Sequence, residues 1–274
     1  MQLQGMNHSN VPCDRRDLSS LLTIIMPVRI DSDERMANLK AVLHHVCGLE
    51  CRVILLEADK HSAFKDGSEM DVETMKFIRH EFVEDSSPVF HRTRYINRLL
   101  NEATTEIVAV WDADILIAYH QVYEAVDNIL KGCTIAYPYN GEYVMLSEVE
   151  SNAARRNFDI ENLKSLKLQS VFGRPFCGGV FLAHRQRYLQ CGGENEHFTG
   201  WGPEDAERLR RVSILGHSVK WTEEGQAYHL NHSRGKNSDF YSEEDAIRLR
   251  KELVKVCSMK KEELQDYITG KSWR

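Results

Sequence analysis

Asp112-Ala113-Asp114 directly follows the apolar run Glu106–Trp111. Carboxylates two residues apart on extended chain lie on the same side, and they repel unless something positive stands between them. A divalent cation does that, and in turn clamps a diphosphate. The same spacing also describes a loop that merely begins with two acids. Further along, His229-Leu230-Asn231-His232 offers two imidazoles that can reach one ion if the segment is extended or turned. Neutral imidazole suits Mn, Fe, Ni, Cu and Zn better than Mg or Ca, though histidine pairs at this spacing also occur on surfaces by chance. The polar, basic, glycine-broken stretch Ser233-Arg234-Gly235-Lys236-Asn237 reads as a mobile loop beside an anionic ligand.

Gly200-Trp201-Gly202-Pro203-Glu204-Asp205 has a complete structural explanation: proline suits a first helical turn, and acids suit the positive end of a helix. A functional reading needs Trp201, whose ring between glycines is a platform for a sugar face, with carboxylates nearby to accept hydroxyl hydrogen bonds. Arg29, Arg92 and Arg94 stand beside strand or helix ends, where arginine pairs with phosphate or stacks on a base, or is simply solvated.

These residues need elements to position them. Leu21–Val28, Arg52–Glu57, Lys76–Glu84, Glu106–Trp111, Thr134–Tyr139 and Gly179–His184 read as strands. Asp33–Val46 (capped by Asp31 or Ser32), Thr93–Ala103, His120–Lys131, Glu204–Leu215, Ser242–Cys257 and Lys260–Ile268 carry helical spacing. Val219–Trp221 and Ala227–Leu230 read as edge strands, and Gly141–Ser170 as mixed helix and loop over one mouth of the sheet. Alternating strands and helices imply a mostly parallel sheet, which binds ligands at the carboxyl ends of its strands. The 274 residues suffice for one large α/β domain, and a net charge of −6 offers no general basic surface for nucleic acid. No apolar run is long enough to span a membrane, and residues 1–20 form a polar arm without the apolar segment of a signal peptide. Seven scattered cysteines, an odd number without paired CxxC motifs, suggest reduced thiols and a cytoplasmic protein.

The motifs, in this order, resemble those of the β-1,4-galactosyltransferase family and its bacterial relatives, within the GT-A glycosyltransferase fold, from about Leu22 to Asn237. Ile25-Met26-Pro27-Val28-Arg29 is similar to the family's P-[FY]-R strand end, and Phe90-His91-Arg92-Thr93-Arg94-Tyr95-Ile96-Asn97 to its F-N-R-A-x-x-x-N. Asp112-Ala113-Asp114 looks like its DxD, Cys177-Gly178-Gly179-Val180 its F-G-G-V, Gly200–Asp205 its G-W-G-G-E-D, and His229–Arg234 its M-x-x-H-S-R. His229, Pro203 and Ala206 depart from the family's Met, Gly and acid, which bears on acceptor preference more than on reaction type.

The resemblance implies an α/β GT-A fold: one Rossmann-like mixed sheet flanked by helices over residues 21–240, with a nucleotide-binding half (21–140) and an acceptor and metal half (141–240). The helices of 241–274 would pack on the outside. It implies transfer of a hexose, galactose or glucose, from a UDP-sugar to a glycan or glycolipid hydroxyl with inversion. Pro27, Arg29, Phe90, Arg92, Asn97, Asp112, Ala113, Asp114, Phe176, Gly179 and Trp201 would bind the donor, and Trp201, Glu204 and Asp205 the acceptor, with Asp205 also the general base. Asp114, His229 and His232 would hold Mn²⁺, with Mg²⁺ as the alternative. Competing readings are a retaining GT-A transferase, a non-catalytic sugar-nucleotide or glycan-binding module, and a zinc hydrolase, which lacks the glutamate of HExxH.

Overall fold

Leu22–Val28 (β1) is buried at every position, the pattern of a strand with parallel neighbours on both sides and helices on both faces. The computed structural model describes residues 16–64, 70–157, 163, 170, 175–233, 235, 239–270 and 273. After β1 come α1 (Asp33–Cys47), β2 (Arg52–Asp59), α2 (Val72–Met75), β3 (Ile78–Glu84), α3 (Arg92–Glu102), β4 (Ile107–Trp111), β5 (Ile115–Leu116), α4 (Tyr119–Leu130), β6 (Ile135–Tyr137), β7 (Tyr143–Met145) and α5 (Glu148–Arg156). Then follow β8 (Val180–His184), α6 (Arg185–Gln190), α7 (Glu204–Ile214), β9 (Val219–Trp221), β10 (Ala227–His229), α8 (Glu243–Ser258) and α9 (Lys261–Thr269).

A seven-stranded sheet runs β3-β2-β1-β4-β8-β6-β9. It is parallel from β3 to β4, and β8 is antiparallel to both β4 and β6. The sheet is therefore mixed. β9 closes one edge, as its sequence suggests. Ala227–His229 is not an edge strand: β10 is the middle of a second, three-stranded sheet, β5-β10-β7. The reason is that Tyr228 and His229 pair with Leu116 and Ile115 on one side and with Val144 and Met145 on the other.

Local chemistry fixes the element ends. Ser32, not Asp31, caps α1, accepting from the Arg35 amide at 3.2 Å, while Asp31 forms an ion pair with Arg35. Ser147 and Glu150 form a reciprocal capping box on α5. Leu18 is buried, so packed chain begins inside the stretch read as an arm; residues 1–15 lie outside the described residues. So do Arg234, Lys236 and Asn237 of the basic loop and most of 158–174. Leu249, Val256, Leu264 and Trp273 bury the C-terminal helices against the domain.

Behind α7 lies a buried ionic knot. Arg208 donates to both oxygens of Glu194 at 2.8 and 3.0 Å and to Asp205 at 2.6 Å, and its guanidinium lies 4.3 Å from the Phe181 ring centroid. Tyr188 donates its hydroxyl to Glu194 at 2.7 Å. Removing one partner of a buried pair strands the other's charge, so Arg208→Ala should cost about 3–5 kcal/mol. Urea denaturation reads this directly, and a loss below about 1 kcal/mol, the scale of an exposed pair, would show that the knot is not structural.

Candidate functional site

The carboxyl ends of β1 and β4 open into a cleft of about 1340 Å³. Its lining includes Pro27, Arg29, Phe90, Arg92, Asp112, Ala113, Asp114, Phe176, Gly179, Trp201, Glu204, Asp205, His229 and His232. Motifs separated by up to two hundred residues thus converge, while Asn97 and Arg94 stay out, Arg94 lying 3.7 Å from Glu196. Asn97 is buried in α3, donating to the Glu194 carbonyl at 2.9 Å and to Glu196 at 2.8 Å, and accepting from the Glu194 amide at 2.7 Å. Its place in the motif is real, but its amide braces a turn at Gly193, whose φ of +66° favours glycine. Arg29 lines the cleft with its donors committed: to the Ala58 and Ser87 carbonyls at 2.9 and 3.0 Å, and to Asp85 at 3.0 Å.

On the floor, Asp114 Oδ2 lies 3.2 Å from His232 Nε2 and 3.6 Å from His229 Nε2. One potential ligand atom from each of the three residues lies within 4.8 Å of the others. The small sheet makes this possible, because pairing His229 with Ile115 brings it beside Asp114. Leu230 donates its amide to the Asp114 carbonyl at 2.8 Å. The chain beyond is tied down by α1 and α5. Asn38 and Arg155 both donate to the Asn231 carbonyl, Ser151 accepts from the Asn231 amide, and Glu34 accepts from Ser233. Arg35, Asn38, Tyr143 and Asn231 also line the cleft. Sequence reading passed over them; for Arg35 and Asn38 the signal was their place on one face of α1, just after a strand end.

A carboxylate with two imidazoles is a donor set that fits Mn²⁺ and Zn²⁺ better than Mg²⁺. Burial works to raise Asp114, but His229 and His232 overcome it and hold the carboxyl at about 2. The hydrogen bond to Asp114 raises His232 above its ordinary 6.5, against burial.

Asp112 takes a hydrogen bond from Arg92 and donates its amide to the Gly179 carbonyl at 2.9 Å, which fixes the ends of β4 and β8 together. Burial pushes its carboxyl to about 6, Asp114 and Asp205 add to this, and Arg92 opposes it. Across the cleft, Glu204 is 7% exposed and its Oε2 has no hydrogen-bond partner. Burial first, then Asp205, push it to about 8, against Arg92. Asp205 Oδ1 accepts from Arg208, and a Cβ on Gly178 would come within 2.6 Å of its Oδ2. The same Cβ would meet the Phe176 ring at 2.9 Å, so glycine at 178 is what lets both side chains reach the cleft. Trp201, 47% exposed, stands at the mouth with its ring edge-on to Phe240 at 5.0 Å.

A family model described as the N-terminal domain of galactosyltransferase matches residues 164–233, which include the glycine pair, Gly200–Asp205 and both histidines. No curated protein matches the chain in sequence. Among solved structures, GalNAc-T7 with UDP, GalNAc and Mn²⁺ is 12% identical with a TM-score of 0.59, covering 90% of this chain and 50% of its own. The catalytic domain of Drosophila β1,4-galactosyltransferase 7 with xylobiose is 17% identical, covering 77% and 71%, at TM-score 0.47. The mannosyltransferase PcManGT from Pyrobaculum calidifontis with GDP-Man and Mn²⁺ is 16% identical at TM-score 0.49, and covers 79% of this chain. The chain spans 59% of that mannosyltransferase's length. The architecture is the GT-A fold of glycosyltransferases. The described residues include no helix long and apolar enough to cross a membrane, and Cys47, Cys51, Cys133, Cys191 and Cys257 are free thiols.

His232 gives the site a pH signature. His232 is raised in the fold, so its stabilising pair with Asp114 is fully present below about pH 6.5 and fades as pH rises through the folded value. Metal needs neutral imidazole, so metal stabilisation runs the other way. Thermal melting of metal-free protein should fall between about pH 6 and 8, while the upward shift given by MnCl₂ grows over the same range. A Mn²⁺ shift that ignores pH, or that survives in His232→Ala, would place the ion elsewhere.

Proposed function

We propose that this protein is a metal-dependent inverting glycosyltransferase that moves a hexose from a UDP-sugar to a hydroxyl of a glycan or glycolipid. The observation that carries the reading is one cleft holding a carboxylate–imidazole triad on its floor and, on its wall, buried Glu204 beside half-buried Asp205. Asp114, His229 and His232 would hold Mn²⁺, which supplies positive charge for the leaving diphosphate. With that charge in place the leaving group needs no protonated acid, so one base suffices, unlike the carboxyl pair of glycoside hydrolases.

Asp205 is the base in this account. The acceptor O–H bond breaks as its oxygen attacks the anomeric carbon, and the proton passes to Oδ2, the oxygen that Arg208 leaves free. Glu204 suits a different task. With its carboxyl pushed up to about 8 by burial and Oε2 unmet, it is suited to donate to and accept from sugar hydroxyls. Arg92 holds Asp112 toward the donor, and Trp201 covers the sugars.

For the donor, Phe176 is packed 4.4 Å from the Tyr143 ring. A full ring there leaves little room at the sugar's C2 position and favours UDP-galactose or UDP-glucose over N-acetylated donors, by about 1–3 kcal/mol.

The discriminating experiment is a pair of isosteric substitutions. Asp205→Asn should lower kcat by about 10²–10⁴ with UDP and Mn²⁺ still bound. Glu204→Gln, which keeps both a donor and an acceptor, should chiefly raise the acceptor KM. A folded Asp205→Asn enzyme with near-normal kcat would remove Asp205 from the mechanism, and an unchanged anomeric configuration in the product would replace the inverting reading with the retaining one.

A further inference from the structure

The cleft is larger than one ligand requires. Small-molecule sites typically occupy roughly 300–1,000 Å³, and this cavity has about 1340 Å³. The surplus lies beyond Asp205, between α7 and β9.

Its walls are built from regular faces. Ala206, Leu209, Arg210 and Ser213 line it from α7, and spacings of three, four and seven put them on one side of a helix. Val219 and Trp221 line it from β9; the intervening Lys220 falls on the other face, as strand alternation requires. The Trp221 indole is fixed. It stacks on Tyr137 with ring centroids 4.9 Å apart at 20°, and donates to the Phe176 carbonyl at 2.8 Å. Aromatic surface held in this way takes the apolar face of a sugar at little entropic cost.

The charges differ from those of the donor end. There Arg29, Arg35 and Arg92 are bound to Asp85, Asp31 and Asp112. Arg210 is exposed at the edge of the far arm and forms no ion pair with any described residue. A guanidinium without a carboxylate partner binds carboxylate, phosphate or sulfate through paired N–H donors.

We infer that this arm is an acceptor subsite for a sugar bearing an anionic group, one residue beyond the attacking hydroxyl, with Trp221 under its ring and Arg210 on its charge. The acceptor is then an acidic oligosaccharide, its anion a uronic-acid carboxylate or a phosphate. The inference rests on the transferase reading for its biological sense, but not for its test.

The test is binding to an array of monosaccharides and of neutral, uronic-acid-containing and phosphorylated oligosaccharides, with UDP and MnCl₂ present, alongside calorimetry of UDP–Mn²⁺. Acidic oligosaccharides should bind about tenfold or more tighter than neutral ones of equal length, as expected when a charge-assisted contact is added. The ranking of the uronic-acid and phosphate arms identifies the anion. Arg210→Ala should erase the preference and Arg210→Glu reverse it; both change an exposed side chain, so folding is not at stake. Trp221→Phe should retain binding of neutral oligosaccharides better than Trp221→Ala, and Arg210→Ala should leave UDP–Mn²⁺ affinity unchanged. Equal binding of neutral and acidic glycans, a preference that survives Arg210→Ala, or no glycan bound at all would overturn the subsite. Absence of UDP–Mn²⁺ binding with the charge preference intact would sink the transferase reading and leave the subsite standing.

Discussion

Four carboxyl groups crowd one cleft, and their mutual repulsion is the constraint around which the site is built. Like charges this close cannot all stay ionised unless each is answered separately. The structure gives four different answers. Asp112 has Arg92. Asp114 has two imidazoles. Asp205 has Arg208. Glu204 has no hydrogen-bond partner for Oε2, and burial, then Asp205, push its carboxyl up to about 8. Acids at one helix start thereby acquire different chemistry, the separation of roles that acid–base sites rely on.

Much of the fold serves those answers. Arg208 can be fully buried only because Glu194 meets it from behind, and Glu194 is in turn held by Tyr188 and by Asn97 through its backbone. The His229–His232 segment sits beside Asp114 because β10 is clasped between β5 and β7, and because α1 and α5 hydrogen-bond the chain that follows. Gly178 keeps open the space that Asp205 and Phe176 share. Substitutions in this supporting layer should therefore disturb chemistry as well as stability.

The sequence made the large sheet legible because β1, β2, β4 and β8 are continuous apolar runs, the signature of strands covered on both faces. It did not reveal the small sheet. β5 has two residues and β7 three, too few for any period to register, and both exist only through pairing with β10. The site was legible wherever a motif sat at an element end: Asp112 to Asp114, Glu204 to Asp205 and the two histidines. Arg208 escaped notice because an arginine one turn into an amphipathic helix looks like surface, and only the partner Glu194, supplied by a distant loop, makes it interior. Asn97 misled for the converse reason, since a motif position says nothing about which way a helical side chain turns.

The proposed function stands on the Asp114, His229 and His232 triad serving as a metal centre for a sugar nucleotide. Anomalous diffraction at the manganese edge, from crystals grown with UDP and MnCl₂, tests it most directly. The account predicts one peak within ligand distance of Asp114, His229 and His232 and in contact with diphosphate oxygens. A cleft containing UDP but no manganese at the triad, or a peak bound elsewhere with His229 and His232 turned away from Asp114, would contradict it.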